Sequence, residues 1–143
     1  MLNIIGGGVA IMIGMKASGY GVDWYIKDAA TYIEQEDLIP KDPGECLIFH
    51  MKRLGVTVEE LSERADVGKR TIWRYRKGEI SDLEVLLKIC VGLHLPPIFS
   101  LDLISKAGFN LESRRFTFGR YVCLCLFDRS IDEVKEIAKS IKA

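Results

Sequence analysis

The sequence contains few of the residues from which disulfide frameworks and metal sites are built. Its 143 residues include four cysteines, two histidines and four prolines. Four cysteines are too few for a disulfide-stabilised secreted domain of this length, so we expect a cytoplasmic protein with free thiols. Net charge is also absent, because 20 basic residues balance 20 acidic ones, and whole-chain electrostatics therefore neither favour nor exclude nucleic acid. The 48% of apolar residues is enough to bury a core without a metal or a disulfide.

Long hydrophobic runs are missing as well. The most apolar stretch, residues 2–15, has the sequence LNIIGGGVAIMIGM and is shorter than the roughly 20 residues that a membrane-spanning helix needs. A signal peptide needs a basic start, but no basic residue precedes Lys16. A phosphate-binding loop needs Gly-Lys-Ser/Thr, but this does not follow the three glycines. We therefore expect an irregular or strand-like start and no membrane association.

Helix start and stop signals occur throughout the rest of the chain. Asp42-Pro43-Gly44-Glu45 combines a cap, a proline at the first helical position and a glutamate three residues after the cap, which predicts a helix from about Pro43 to Leu54, ended by Gly55. Two further capping boxes are Thr57-Val58-Glu59-Glu60 and Ser130-Ile131-Asp132-Glu133. The other predicted helices are an amphipathic one from Val22 capped by Asp23, Lys69–Lys77 stopped by Gly78, Leu83–Val91 capped by Ser81-Asp82, Pro96 to Gly108, and Ile131–Ile141. The sequence thus predicts an all-α protein of about seven helices, in which only the period of Phe116–Phe127 is ambiguous.

Basic residues concentrate in one short predicted helix. The segment Lys69–Lys77, KRTIWRYRK, contains five basic residues, two aromatic residues and no acidic residue. A helix of this composition can enter a DNA major groove, where cations neutralise phosphates and arginine forms two hydrogen bonds with guanine. On its own, a basic segment of nine residues is equally compatible with an ordinary solvated helix face.

The residues around this helix favour the first interpretation. Residues 46–95 resemble the phage-repressor (Cro/CI-type, XRE) helix-turn-helix family. The matching residues are the capping Thr57, the Glu59-Glu60-Leu61 run, Ala65 and Val67 around the turn, Thr71-Ile72 in the second motif helix, Gly78 at its end, and Leu83-Glu84 with Leu86–Ile89 in the next helix. Independently of the family, Leu61, Ala65, Val67 and Ile72 are the small or aliphatic residues that two short helices need to pack at a steep angle.

The resemblance implies an architecture and a set of contacts. It implies a lambda-repressor-like five-helix helix-turn-helix domain at residues 41–108. Residues 1–40 would then be an extension with an apolar start and one extra helix, and residues 109–143 a C-terminal helical extension. Carried over residue by residue, the DNA contacts are base-edge contacts from Lys69, Arg70 and Arg74, and phosphate or sugar contacts from Thr57, Thr71, Trp73 and Lys77. For Trp73 the alternative is packing against Tyr75 or a neighbouring helix.

Two positions depart from the family pattern. Val58 stands where the first motif helix commonly has a glutamine that contacts phosphate, and Arg76 stands where a glutamate is common. The first departure removes a positioning contact. The second makes the helix more basic, which partly compensates.

The resemblance further implies a homodimer on double-stranded DNA, with half-sites about one helical turn apart. The apolar residues of 116–127 and 131–141 could form the dimer contact, or they could simply cover the core. We predict a sequence-specific transcriptional regulator that occupies an operator without chemistry, with no cofactor; no small-molecule ligand is evident from the sequence. The alternative is a protein-interaction module, an antitoxin or immunity-type partner binder, which the neutral net charge, the acidic first 40 residues and Val58 favour.

Neither a metal site nor a catalytic site is expected. Cys46 with His50, and Cys90 with His94, are spaced i,i+4 and together could supply four zinc ligands. We favour core packing instead, because buried free cysteine behaves as a small apolar side chain. Cys123-Leu124-Cys125 lacks the C-x-x-C redox spacing, and neither a nucleophile motif nor a carboxylate pair is evident, so we expect no enzyme.

Overall fold

Eight α-helices and one π-helical segment make up the described part of the chain, residues 22–111 and 117–142 of the computed structural model, and no strand occurs there. The helices are α1 (Val22–Gln35), α2 (Pro43–Leu54), α3 (Val58–Ala65), α4 (Lys69–Arg76), α5 (Leu83–Gly92), α6 (Pro97–Lys106), α7 (Thr117–Tyr121) and α8 (Ile131–Lys142), and the π-helical segment Val122–Leu126 follows α7 directly. The all-α prediction is therefore confirmed. The glycine-rich residues 2–15, for which an irregular or strand-like start is expected, lie outside the described ranges.

Helix α2 begins and ends where the sequence predicts. The Asp42 carboxylate accepts a hydrogen bond of 3.0 Å from the backbone N–H of Glu45, and Pro43 occupies the first helical position. Gly55 ends the helix in the left-handed conformation, with φ 69°, which glycine adopts without steric cost. These signals act over three or four residues, so the sequence is sufficient to place them.

Two reciprocal capping boxes open helices α3 and α8. The backbone N–H of Glu60 donates to the Thr57 hydroxyl at 3.1 Å, and the Glu60 carboxylate accepts from the Thr57 N–H at 3.0 Å. Ser130 and Glu133 form the same pair of hydrogen bonds, each 3.2 Å long. Both predicted capping boxes are confirmed.

Helices α3 and α4 are consecutive eight-residue helices joined by only three residues. Asp66 ends α3 in the left-handed conformation, with φ 55°, and Gly68 lies directly before α4. The hydroxyl of Ser62 donates to the Val67 carbonyl at 2.7 Å, which ties the connection to α3. The four residues predicted to pack the two helices together are all buried: Leu61, Ala65, Val67 and Ile72.

Two glycines allow helices to approach closely around this pair. A Cβ atom at Gly44, at the start of α2, would lie 2.5 Å from the backbone nitrogen of Gly78, just after α4. A Cβ atom at Gly92, at the end of α5, would lie 2.9 Å from the Cβ atom of Ala65 in α3. The positions of α3 and α4 therefore depend on close backbone contacts with α2 and α5.

The C-terminal segment covers the core of the protein. Cys123 belongs to the same buried cluster as the side chains of α2–α6. An adjoining cluster consists of Val91 from α5 with Val122, Leu126, Ile131 and Val134. Of the apolar side chains suggested for a dimer contact, these are buried within the chain, whereas Leu124 and Ile141 are exposed. The structure thus favours the alternative in which this segment covers the core.

Helix α1 packs with a different side from the one predicted by its apolar residues at helical spacing, which are Val22, Tyr25, Ile26, Ala29, Ala30 and Ile33. Tyr32 contacts Phe99 of α6 edge to face at 5.8 Å and donates a hydrogen bond to Asp102. Val22, Ile26 and Ile33 point away from the core, and Ile33 is 72% exposed. Asp23, expected as the cap, lies inside the first turn, so that prediction is wrong. Among residues 22–111 and 117–142, no helix is both long and apolar enough to span a membrane.

His50 is a fully buried histidine within this core. Its ring packs edge to face against Phe49 and Phe99, and its Nδ1 atom accepts from the guanidinium of Arg53 at 3.1 Å. Burial, assisted by the charge of Arg53, lowers the pKa of His50 from 6.5 to about 4. The folded protein therefore holds this imidazole neutral at any physiological pH.

Replacing Gly44 by alanine should destabilise the fold. The added methyl group would meet backbone atoms of Arg76 and Gly78 at 2.6 and 2.5 Å, and these cannot rotate away as a side chain can. We expect the free energy of unfolding, measured with urea, to fall by about 1–3 kcal/mol. Gly68→Ala is the matched control, because nothing lies within 4 Å of its added Cβ. Equal stability of the two variants would contradict the close packing of α2 against the end of α4.

Acid should destabilise the protein through His50. Below pH 6.5 the unfolded chain binds a proton at this imidazole, whereas the folded chain does so only near pH 4. The stability that the neutral His50 contributes is fully present above pH 6.5 and is lost as the pH falls towards 4. This lowers the free energy of unfolding by roughly 3 kcal/mol. Urea unfolding at successive pH values should show that acid lowers the free energy of unfolding less in His50→Asn than in the wild type. The asparagine amide oxygen replaces Nδ1 as the acceptor for the Arg53 guanidinium. His94→Asn, the control, should retain the wild-type loss. An identical loss in all three proteins would show that His50 is not its source.

Candidate nucleic-acid interface

Helix α4 has one buried side and one exposed cationic side. Ile72 and Tyr75 are buried, at 0% and 1% exposure. The exposed side chains of α4 and its C-terminal residue are Lys69, Arg70, Trp73, Arg74 and Lys77, which we call the cationic face. At 3.6 residues per turn these five positions fall within an arc of about 140°. The segregation follows from the sequence, because apolar residues three positions apart share one side of a helix.

Tyr75 holds α4 to the segment that leads into α5. Its hydroxyl donates to the backbone carbonyl of Asp82 at 3.3 Å and accepts from the N–H of the same residue at 3.1 Å. At the end of the helix, Gly78 adopts the left-handed conformation with φ 93°, and the N–H of Glu79 bonds the carbonyl of Arg74. The C-terminal half of α4 is thus fixed by these hydrogen bonds, which limits the directions in which the cationic face can point.

The cations of this face have no acidic partner in the part of the chain that the structure describes. Among the residues that the structure describes, Lys69, Arg70, Arg74 and Lys77 form no ion pair with an acidic side chain. Their N–H groups therefore remain available to an external anion. Side chains of this kind make the phosphate contacts of nucleic-acid-binding proteins, and they bind other anions by the same charge-assisted hydrogen bonds.

Two contacts organise the side chains on α4. Arg74 donates to the Thr71 hydroxyl at 3.3 Å, which leaves most of its guanidinium donors free. The guanidinium of Arg76 lies 4.5 Å from the ring centroid of Trp73, whose side chain is 50% exposed. Trp73 therefore does not pack against Tyr75, which is buried on the other side. Sequence reasoning missed the stacking of Arg76, although its i,i+3 spacing from Trp73 is visible in the sequence.

The first residues of α3 offer less to an anion than the sequence suggests. The Thr57 hydroxyl accepts from the Glu60 N–H and donates to the Glu60 carboxylate at 3.2 Å, so its proton is already in use. Val58, where the family commonly has a glutamine, is 5% exposed and belongs to the core. Glu59 and Glu63 are exposed on the same helix. The cationic character therefore resides on α4 and not on α3.

Helix α8 reaches the turn that precedes α4. Lys135 forms an ion pair with Asp66, the left-handed residue between α3 and α4. The hydrogen bond from Lys135, together with its charge, lowers the pKa of the Asp66 carboxyl. The two residues are 69 positions apart in the chain, and no local signal in the sequence links them.

The cysteine–histidine pairs occupy separate places in the fold. Cys46 and His50 are buried, and burial raises the pKa of the Cys46 thiol to about 11. His94 instead lies at an exposed turn and bonds the carbonyl of Phe127 at 3.2 Å. No three histidine, cysteine or acidic side chains of residues 22–111 and 117–142 come together as a metal site. Burial also raises the pKa of Cys123, to about 12, as expected for a thiol in a core.

Comparisons with known proteins add no further information on this surface. The chain matches no protein-family model, no curated protein and no solved structure.

Proposed function

We propose that the protein is a sequence-specific DNA-binding transcriptional regulator of the phage-repressor type. In this proposal α3 and α4 form the helix-turn-helix, and α2–α6 form a lambda-repressor-like domain. The observation that carries it is the cationic face of α4, which is exposed and forms no ion pair with the described acidic side chains, while Ile72 and Tyr75 fix the opposite side in the core. Occupying an operator near a promoter would exclude or recruit polymerase without any chemical step.

The residues of the cationic face, together with Thr57 and Thr71, have the following roles in this proposal. Lys69, Arg70 and Arg74 reach base edges, because they lie at the start and along the exposed side of the second motif helix. Lys77 and Thr71 contact phosphates. Trp73 packs on sugar or on a thymine methyl, since half of its ring surface is accessible. Thr57 is the weakest of the phosphate candidates, because its hydroxyl proton is bonded to Glu60.

A homodimer on two half-sites is part of the proposal. Its contact surface is not the C-terminal segment as a whole, because most apolar side chains there lie against the chain's own core. Sedimentation of the protein with and without its selected duplex measures the oligomeric state directly.

One observation favours a second candidate function, that of a protein-interaction module. Val22, Ile26 and Ile33 form an exposed apolar stripe on α1, the kind of surface that a protein partner buries. An antitoxin or immunity-type partner binder would use such a surface, and its contact with DNA would be weak or secondary. The two functions differ in their dependence on salt, because phosphate contacts release counterions and apolar contacts do not.

Selecting duplexes from a random DNA pool with the purified protein at low salt should yield a preferred sequence. Arg70→Ala should weaken binding to that sequence by about 1–3 kcal/mol, and weaken binding to random duplex less, because it removes a base-edge contact. Lys77→Ala should weaken both equally and reduce the salt slope by about 1. Lys52→Ala, an exposed lysine on α2, is the matched control and should change neither affinity, as measured by fluorescence anisotropy.

Three results would contradict these assignments. An equal loss for Arg70→Ala on both duplexes would assign Arg70 to a phosphate contact. A loss for Lys52→Ala as large as that for Lys77→Ala would show that the cationic face has no special part in binding. An empty selection at low salt would favour the protein-interaction module.

Trp73 can report the contact directly. The chain has two tryptophans, so Trp24→Phe leaves Trp73 as the single tryptophan fluorophore. Saturating amounts of the selected duplex should protect Trp73 from acrylamide quenching, because the duplex covers its exposed ring. In the control Trp73→Phe, quenching of Trp24 on α1 should not change. Unchanged quenching of Trp73 at saturation would exclude α4 as the helix that lies in the groove.

A further inference from the structure

A cavity of about 300 Å³ lies between α5, α7 with its π-helical continuation, and α8. Its walls are apolar and include Leu87, Val91, Phe118, Val122 and Val134. This volume is at the lower limit of small-molecule sites, which measure about 300–1,000 Å³. The cavity lies on the side of α5 that packs against the C-terminal segment, and no residue of the cationic face lines it.

The polar lining of the cavity is mostly cationic. Three lysines and one glutamate contribute to it, namely Lys88, Lys135, Lys139 and Glu84. Lys139 is 3.4 Å from Glu136, and both side chains are well exposed, so this pair is weak. Lys88 is half-buried and forms no ion pair among the described residues. An apolar cavity with an unpaired ammonium group beside it is complementary to a molecule with an apolar tail and one negative charge.

We propose that this cavity binds a small amphipathic carboxylate, such as a medium-chain fatty acid, with its tail between α5 and α8 and its carboxylate at Lys88. The tail gains from leaving water, by about 0.8 kcal/mol for each methylene group buried. The carboxylate replaces water around Lys88, whose ammonium group forms no close ion pair within residues 22–111 and 117–142. A neutral molecule of the same length would offer Lys88 no negative charge. A cationic molecule of that length would be repelled by the lysine.

The same site is connected to the turn before α4. Lys135 lines the cavity and also forms the ion pair with Asp66. Lys88 contributes to the lowered pKa of that carboxyl as well, after the larger effect of Lys135. A bound carboxylate therefore competes with Asp66 for these lysines and loosens α8 from the turn. This last step, which makes the ligand a regulator of DNA binding, rests on the proposed function.

Calorimetric titration of the full chain with hexanoate, heptanoate and octanoate tests the site without DNA. Affinity should rise about fourfold for each added methylene group. Octanol and octylamine, of matched length, should bind at least tenfold more weakly than octanoate. Lys88→Gln should weaken octanoate by about tenfold and leave octanol unchanged, since it removes one charge-assisted contact. Lys52→Gln, on α2 and away from the cavity, should change nothing.

A second variant tests the apolar part. Ala138 on α8 lines the cavity, so Ala138→Phe should fill it and abolish octanoate binding. Ala30→Phe, on the exposed side of α1, controls for an added aromatic side chain. Absence of octanoate binding, equal affinities for octanoate and octanol, or unchanged binding in both Lys88→Gln and Ala138→Phe would each overturn the proposal.

The link to DNA has its own measurement. Saturating octanoate should change the affinity of the wild type for its selected duplex, and should have no such effect in Asp66→Asn, which still has the cavity. Octanoate binding without a change in duplex affinity would overturn the link and leave the site. An empty DNA selection together with octanoate binding would overturn the proposed function alone.

Discussion

The anchoring of α4 by Ile72 and Tyr75 is the constraint on which the rest of the structure depends. Both side chains are almost completely buried, and the Tyr75 hydroxyl bonds both backbone groups of Asp82. Because these positions are three apart, they fix the rotation of an eight-residue helix about its own axis. With this rotation, the charged side chains of Lys69, Arg70 and Arg74 must point into solvent. Any function assigned to the basic segment must therefore use the side chains that this rotation exposes.

The helices around α4 constrain its position as closely as Ile72 and Tyr75 constrain its rotation. Gly44 and Gly92 bring α2 and α5 to distances that a Cβ atom would not permit, so α3 and α4 are held from two sides. The left-handed residues Asp66 and Gly78 bracket the helix, and each makes possible a turn that an ordinary residue would strain. Side-chain packing and backbone conformation thus specify the same position for α4, which is how a short helix with poor intrinsic stability is kept in place.

Sequence reasoning was sufficient for most of the local signals, although the cap predicted at Asp23 was wrong. The caps at Asp42, Thr57 and Ser130 act within three residues, and all three were placed correctly. The side of α1 that packs was not predictable, because Val22, Ile26 and Ile33 have helical spacing but the helix is held by Tyr32 and α6 instead. The π-helical segment was not predicted either, because i→i+5 hydrogen bonds leave no distinct spacing of apolar residues in five positions. The ion pair of Lys135 with Asp66 depends entirely on the tertiary fold.

The balance of charge in the whole chain conceals a strong local separation. The 20 acidic residues do not lie evenly among the 20 basic ones, since α4 has no acid and α3 begins with two. Screening at physiological salt limits exposed charges to about 8 Å, so an approaching anion responds to the nearest helix and not to the net charge. Glu59 and Glu60, at the start of α3, are exposed and carry the opposite charge. A chain with no net charge can therefore present one strongly cationic helix to an approaching anion, next to a helix that begins with two acidic residues.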